Sequence, residues 1–170
     1  MGAIMSFADI PSGAAVFVDA NSIIYHFISE PAYGAAATIL LERFESSDIE
    51  GWITPHILAE TSHRLMTLEA CSLFGWPYQG IAARLHKHPR HIAKLTRFRQ
   101  ALEDINRLGL HVISVTASHV LQAAEISQQD GLLTNDAISI AAMRSRGLAN
   151  LASNDADFDR IAGIVRFSPV

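Results

Sequence analysis

A single α/β domain, with a mostly parallel central sheet flanked by helices, is predicted by three features of the sequence. Short apolar runs alternate with longer stretches of helical periodicity, and strands separated by helices need crossover connections. Two of those runs lead directly to acids: AAVFVDA (14–20) closes on Asp19, and LANLAS (148–153) is followed by Asp155. The 170 residues are 49% hydrophobic and 18% charged, which suffices for one sizeable core and is too little for two. The whole of 1–170 therefore reads as one domain, with its motifs within about 14–161.

Taken in order, AAVFVDA is a valine-rich strand and NSIIYHFI after it a helical turn or more. YGAAATILLERFESSD (33–48) places apolar residues at helical spacing with charges on the other face. GWIT (51–54) has the length of a buried strand. Thr54 as N-cap and Pro55 at the first helical position open PHILAETSHRLMTLEA, which carries Glu60 on its second turn. Gly75, Trp76 and Pro77 break the chain. A short helix from Tyr78 to His86 follows, then one long helix from about Pro89 to Leu108, stopped by Gly109. LHVISV (110–115) is a strand and TASHVLQAAEISQQDG (116–131) a capped helix. TNDAISIAAMRSRG (134–147) is another, with Thr134 as cap and Gly147 as stop. LANLAS is the next strand, and IVRFS near the C-terminus the last.

The composition narrows the classes open to the chain. No repeat or low-complexity tract is present, no apolar stretch is long enough to cross a bilayer, and the N-terminus lacks the basic and apolar regions of a secretory signal. A soluble, cytoplasmic protein without a membrane partner is expected. Met1-Gly2-Ala3-Ile4-Met5-Ser6 matches the short N-myristoylation pattern, which has meaning only in a eukaryote and is set aside. The single cysteine, Cys71, has no intramolecular partner for a disulfide and no arranged base to make it a nucleophile.

Charge is unevenly spread. Between Glu69 and Glu103 there is no acid, while Arg84, Lys87, Arg90, Lys94, Arg97 and Arg99 fall in that interval; with a net charge of −4, the rest of the chain carries −10. A helical segment at about 75–108 is thus strongly basic, with His86, His88 and His91 inside it. A solvated helix face is the ordinary explanation of such a run, but surface helices usually mix signs to form i,i+4 pairs. Cations without acids suit a polyanion instead, and these six residues are candidates to bind one. Trp76, Tyr78 and Phe98 could stack on unpaired bases, although packing explains each of them as well.

Ligands of parallel α/β sheets sit beyond the carboxyl ends of the strands. Asp19 and Asp155 lie there, Glu60 is early in the helix after GWIT, and Asp136 is in the first turn of the helix from Thr134. Each has an ordinary alternative: Glu60 as an exposed helix residue, Asp136 as a complement to the helix dipole, Asp155 and Asp157 as turn formers. Four carboxylates converging on one crevice would repel one another, and a divalent cation with oxygen preference, Mg²⁺ or Mn²⁺, removes that conflict.

FVDANSIIYHF around Asp19, ILAETSHRL around Glu60, LLTNDAISIAAM around Asp136 and LASNDADFDRI around Asp155 resemble, in the same order, the four acidic motifs of PIN-domain ribonucleases. The resemblance implies an endonuclease that acts on RNA with Mg²⁺ or Mn²⁺, held by Asp19, Glu60, Asp136 and Asp155, with Asn21 and Ser153 supporting the site. The family includes VapC-type toxins of toxin–antitoxin pairs, so an antitoxin partner and a homodimer through the apolar helices around 64–83 are also expectations. The chain is longer than a compact toxin, and the extra length falls in the basic stretch.

Within LASNDADFDR, Asp157 is expected to play a secondary part, through water or a second metal position. Phe158 and Ile161 should pack the turn against the sheet, and Asp159 should face solvent and be dispensable. His26, His56 and His63 read as structural, since metal-assisted phosphodiester hydrolysis demands no histidine. Two other classes compete with this reading. A receiver or haloacid-dehalogenase-like phosphotransferase needs a late lysine, and the chain's lysines are Lys87 and Lys94. A non-catalytic PIN-like scaffold binding RNA or protein is the stronger alternative.

Overall fold

The computed structural model describes residues 5–170, so Gly2 of the lipidation pattern lies outside the described residues. The run AVFV forms strand β2 (Ala15–Val18), three of whose four residues are fully buried. Around it lie β1 (Met5–Ser6), β3 (Glu50–Ile53), β4 (His111–Val112), β5 (Asn150–Ala152) and β6 (Val165–Ser168). The six run in the order β1-β6-β5-β2-β3-β4, and every pairing is parallel. After β2 the chain lays β3 and β4 on one side, then returns to lay β5 and β6 on the other. The strand order reverses between β2 and β5, which is where open α/β sheets leave a crevice.

The helices are α1 (Ala20–Phe27), α2 (Gly34–Glu45), α3 (Pro55–Phe74), α4 (Ile81–Lys87), α5 (Pro89–Ile92), α6 (Arg97–Arg107), α7 (Ala117–Asp130) and α8 (Thr134–Ser145). The signals at Thr54, Pro55, Thr116 and Gly131 act as expected: Thr54 and Thr116 are N-caps, and Gly131 ends α7 in the left-handed conformation at φ 72°. α3 runs four residues further than expected and stops at Gly75, φ 63°. Among the described residues no helix is long and apolar enough to cross a membrane. The main core joins both faces of the sheet through Phe17, Ile23, Leu40, Ile53, Ile140, Met143, Leu151 and Phe167. Ala70, Ile81, Leu85 and Leu95 form a separate small core under the basic segment.

Four expectations are corrected. The long helix from Pro89 to Leu108 is two helices, because Leu95 turns inward to the small core and the Glu69 carboxylate of α3 accepts hydrogen bonds from the amides of Thr96 (2.9 Å), Arg97 (3.0 Å) and Phe98 (2.9 Å), starting α6 afresh. The helix expected at Tyr78 begins at Ile81, since Gly80 before it is left-handed (φ 73°). LHVISV contributes only His111–Val112 to a strand. Leu133 rather than Thr134 is the N-cap of α8, and Thr134 is its first helical residue. Strand β1, which adds to the edge of β6, carries no sequence signal beyond two residues.

Candidate active site

Parallel register brings the first acid to its partners. Val18 of β2 lies opposite Ala152 of β5, and the Asp19 amide donates to the Ala152 carbonyl (3.0 Å), so Asp19 and Ser153 leave the sheet side by side. Asp19 is the N-cap of α1 and only 8% exposed. Its Oδ1 accepts from the Ala20 amide (2.8 Å) and its Oδ2 from the Ser153 hydroxyl (2.8 Å). That hydroxyl also accepts from the Asp155 amide (3.0 Å), so one buried serine sets both the first acid and the start of the last loop. Ser22, one turn into α1, donates to the Ala152 carbonyl (2.9 Å) and locks the helix to β5. Its only sequence signal is a small polar residue on an apolar helix face. Asn21 is half-buried and, among the described residues, makes no hydrogen bond to the acids.

Asp155 caps a 3-10 turn (Ala156–Arg160) through a hydrogen bond from the Asp157 amide to its Oδ1 (2.8 Å). Phe158 and Ile161 are buried and pin that turn, as their spacing predicts. Asp157 is exposed and pairs with Arg160 (2.7 Å), which also donates to the carbonyls of Asp130 (2.8 Å) and Gly131 (2.9 Å) at the end of α7. Asp159 is exposed as expected, yet it is engaged: its two oxygens accept from Nε (2.7 Å) and Nη2 (2.8 Å) of Arg166, whose Nη1 donates to the Ser153 carbonyl (3.2 Å). Arg166, an arginine inside the last apolar strand, is a site residue that sequence reasoning missed.

Glu60 and Asp136 come from α3 and α8. Glu60 is exposed and Asp136 half-buried. The two helices are tied by His56 and Ser139: Ser139 donates to the Asn135 carbonyl (3.3 Å), leaving its oxygen to accept from His56 Nε2 (3.1 Å). Burial holds His56 below the usual histidine range, so it is a neutral structural link between the turns that carry the two acids.

Electrostatics join all five carboxylates. Burial pushes Asp19 up to about 6, against the Ser153 and Ala20 hydrogen bonds that pull it down, and Glu60 and Asp155 raise it further. Asp136 is also pushed up to about 6, by burial and then by Asp19, Asp155 and Asp157. Glu60, though its side chain reaches solvent, is raised by partial desolvation of the carboxylate and by Asp136, while Arg64 opposes. Such oxygen-only, mutually repelling donors suit a hard divalent cation. Among the described residues no three of them form a ready-made metal-holding group. The fit therefore rests on the chemistry of the donors, as at Mg²⁺ sites that use one or two carboxylates and keep several waters.

The basic segment presents Lys87, Arg90, Lys94 and Arg97 to solvent, none of them ion-paired among the described residues. Arg99 pairs with Glu103 (3.5 Å), and Arg84 lies over the Trp76 ring at 5.5 Å. Trp76 is packed against Phe74 and His91, and Phe98 against the core; Tyr78 is 48% exposed.

A parallel sheet that gathers acids from four elements above its switch point defines an α/β protein with an acidic crevice. The family model of the PIN domain matches residues 16–164, and the chain belongs to the PIN-domain family. Its fold is similar to that of the sarcin–ricin-loop-cleaving toxin VapC20 of Mycobacterium tuberculosis (TM-score 0.60, 22% identity, covering 88% of this chain and 96% of that one). It is also similar to a chain of VapBC2 from Rickettsia felis, solved bound to a promoter DNA fragment (0.56, 17%, 91% and 98%). A third likeness is to a chain of a toxin–antitoxin complex from Klebsiella pneumoniae (0.52, 18%, 91% and 98%). No curated protein sequence matches the chain.

Proposed function

We propose that this protein is a divalent-metal-dependent endoribonuclease and the toxin of a toxin–antitoxin pair. The observation that carries the reading is the convergence of acids from separate parts of the chain: one buried serine, Ser153, holds both Asp19 and the backbone of Asp155, and Asp19, Glu60 and Asp136 are each raised by burial and further by neighbouring acids of the group. These four residues would hold Mg²⁺ or Mn²⁺, with Asp157 acting through water or at a second position. A bound ion would supply an activated water and neutralise charge on the phosphate. The chain's own part is positional: Ser153 fixes the Asp19 carboxylate and the Asp155 backbone, and Asn21, in the first turn of α1, would support the site from the helix side. Arg84, Lys87, Arg90, Lys94, Arg97 and Arg99 draw in the RNA, opposing the repulsion between an acidic crevice and a polyanion.

Two of the similar structures are named as VapBC2 and as a toxin–antitoxin complex, which supports an antitoxin partner. A homodimer through the helices around 64–83 accords with Leu73 standing 56% exposed there, and sedimentation showing monomer alone would refute it. The deciding assay is cleavage of single-stranded RNA with Mg²⁺ or Mn²⁺, with EDTA, and by Asp19→Asn. Cleavage is expected only in the first condition; cleavage in EDTA or by the variant would overturn the reading.

A further inference from the structure

Three arginines act on the acids of the crevice, and their hydrogen bonds separate them. Arg160 is committed to Asp157 and to two carbonyls of α7, and Arg166 to both oxygens of Asp159 and the Ser153 carbonyl. Arg64 differs. It lies one turn beyond Glu60 on α3, the i,i+4 spacing at which a glutamate and an arginine ordinarily pair. Here they do not pair: among the described residues Arg64 has no ion pair, and its Nη1 donates to the Tyr78 hydroxyl (2.6 Å), with the guanidinium 5.1 Å from the ring centroid. Of its five N–H donors, one is used to aim the group. Both residues are exposed, and Tyr78 belongs to the stretch that opens the basic segment.

We infer that Arg64, aimed by Tyr78, is a phosphate-binding residue at the mouth of the acidic crevice, gripping a phosphodiester of the RNA next to the one to be cut. A planar guanidinium with a free fork matches two phosphate oxygens. Its place, about 6 Å along α3 from Glu60, is one helical turn from the acids, so the phosphate it meets is a neighbour of the reacting one. This inference rests on the ribonuclease reading but names an interaction which that reading does not contain.

The test measures binding of a short, labelled single-stranded RNA to Asp19→Asn protein across a salt series, and cleavage by protein that retains Asp19. Arg64→Gln should weaken binding roughly tenfold and flatten the dependence of log affinity on log salt by about 0.7, the signature of one single-strand phosphate no longer neutralised. Arg64→Lys should lose less affinity and keep the slope, since a point charge remains. Tyr78→Phe should keep the slope and weaken binding by an intermediate factor. In cleavage, Arg64→Gln should raise KM with kcat nearly unchanged, while Arg107→Gln, at a residue paired with Asp104, should alter neither. Unchanged affinity and slope in Arg64→Gln, while the parent protein cleaves RNA, would overturn this inference and leave the nuclease reading intact. Weakened binding by Arg64→Gln in a protein that never cleaves RNA would overturn the nuclease reading and uphold Arg64 as a phosphate contact alone. Absence of any RNA binding by the parent would overturn both.

Discussion

Asp19→Asn probes the central claim about the crevice, that it forces negative charge into a place that resists it. The carboxyl is pushed up to about 6 from an ordinary 3.8, so between those pH values the folded protein keeps a proton that the unfolded chain releases. Folding stability therefore falls as pH rises from about 4 to about 6 and stays at the lower level above it. At 1.36 kcal/mol per pH unit the two-unit displacement costs about 3 kcal/mol at neutral pH, a conversion that holds because the side chain is buried. Asparagine cannot ionise and keeps an oxygen for the Ala20 amide, but it weakens the Ser153 hydrogen bond, worth about 1 kcal/mol. The variant should thus be about 2 kcal/mol more stable than the parent at pH 7.5 without metal, roughly 4–8 °C in Tm for a chain of this length. The gain should vanish between pH 4 and 5 and give way at pH 4 to a small loss, because the weakened Ser153 hydrogen bond then outweighs the nearly vanished ionisation cost. Urea denaturation of both proteins in EDTA at pH 4, 5, 6 and 7.5 measures this directly. A variant that is less stable at pH 7.5, or a difference that ignores pH, would refute the argument that burying the Asp19 charge costs more than its two hydrogen bonds return.

Three further outcomes are expected. Millimolar Mn²⁺ should raise the Tm of the parent protein by several degrees through preferential binding to the folded state, and should leave Asp136→Asn nearly unmoved, as differential scanning fluorimetry would show. Arg166→Gln should free Asp159 and the Ser153 carbonyl together, costing about 1–2 kcal/mol of stability and about tenfold in Mn²⁺ affinity by calorimetry, because it loosens the loop that positions Asp155. Replacing Arg90, Lys94 and Arg97 by glutamine should weaken RNA affinity and reduce its salt slope by about 0.7 for each phosphate left without its cation, with kcat at saturating RNA little changed; an identical slope would return these residues to a solvated face.

What the sequence disclosed was whatever short-range chemistry decides. Thr54 and Pro55 start α3, Gly75 and Gly131 stop α3 and α7, and the valine-rich run before Asp19 is a buried strand, all from neighbours within a few residues. The parallel sheet followed from the alternation of strands and helices. The break between α5 and α6 did not, since the group that starts α6 is Glu69, 27 residues before Thr96. The four acidic motifs were legible, and Ser153 with the last of them, but Ser22 and Arg166 were not. Ser22 matters because β5 lies beside α1, and Arg166 because β6 lies beside β5. Strand order is a property of the folded sheet, and no local pattern carries it. Asp159 looked idle for the same reason: its partner is seven residues on, in a strand whose register fixes where the guanidinium points.

The grip of Glu69 on the start of α6 has a bearing on how such a chain can change over generations. The excursion that leaves α3 after this residue returns to it at Thr96, where Glu69 closes the circuit, and it carries a small core of its own. Its two ends are therefore held at nearly one point on the scaffold, whatever lies between. Helices in that loop can be lengthened, exchanged or recharged without disturbing the strands beneath the acids. A surface attached in this way is free to diversify in shape and charge while the acids beneath it stay fixed, and a loop taken from a relative and joined at the same two points would be the natural unit of transplantation.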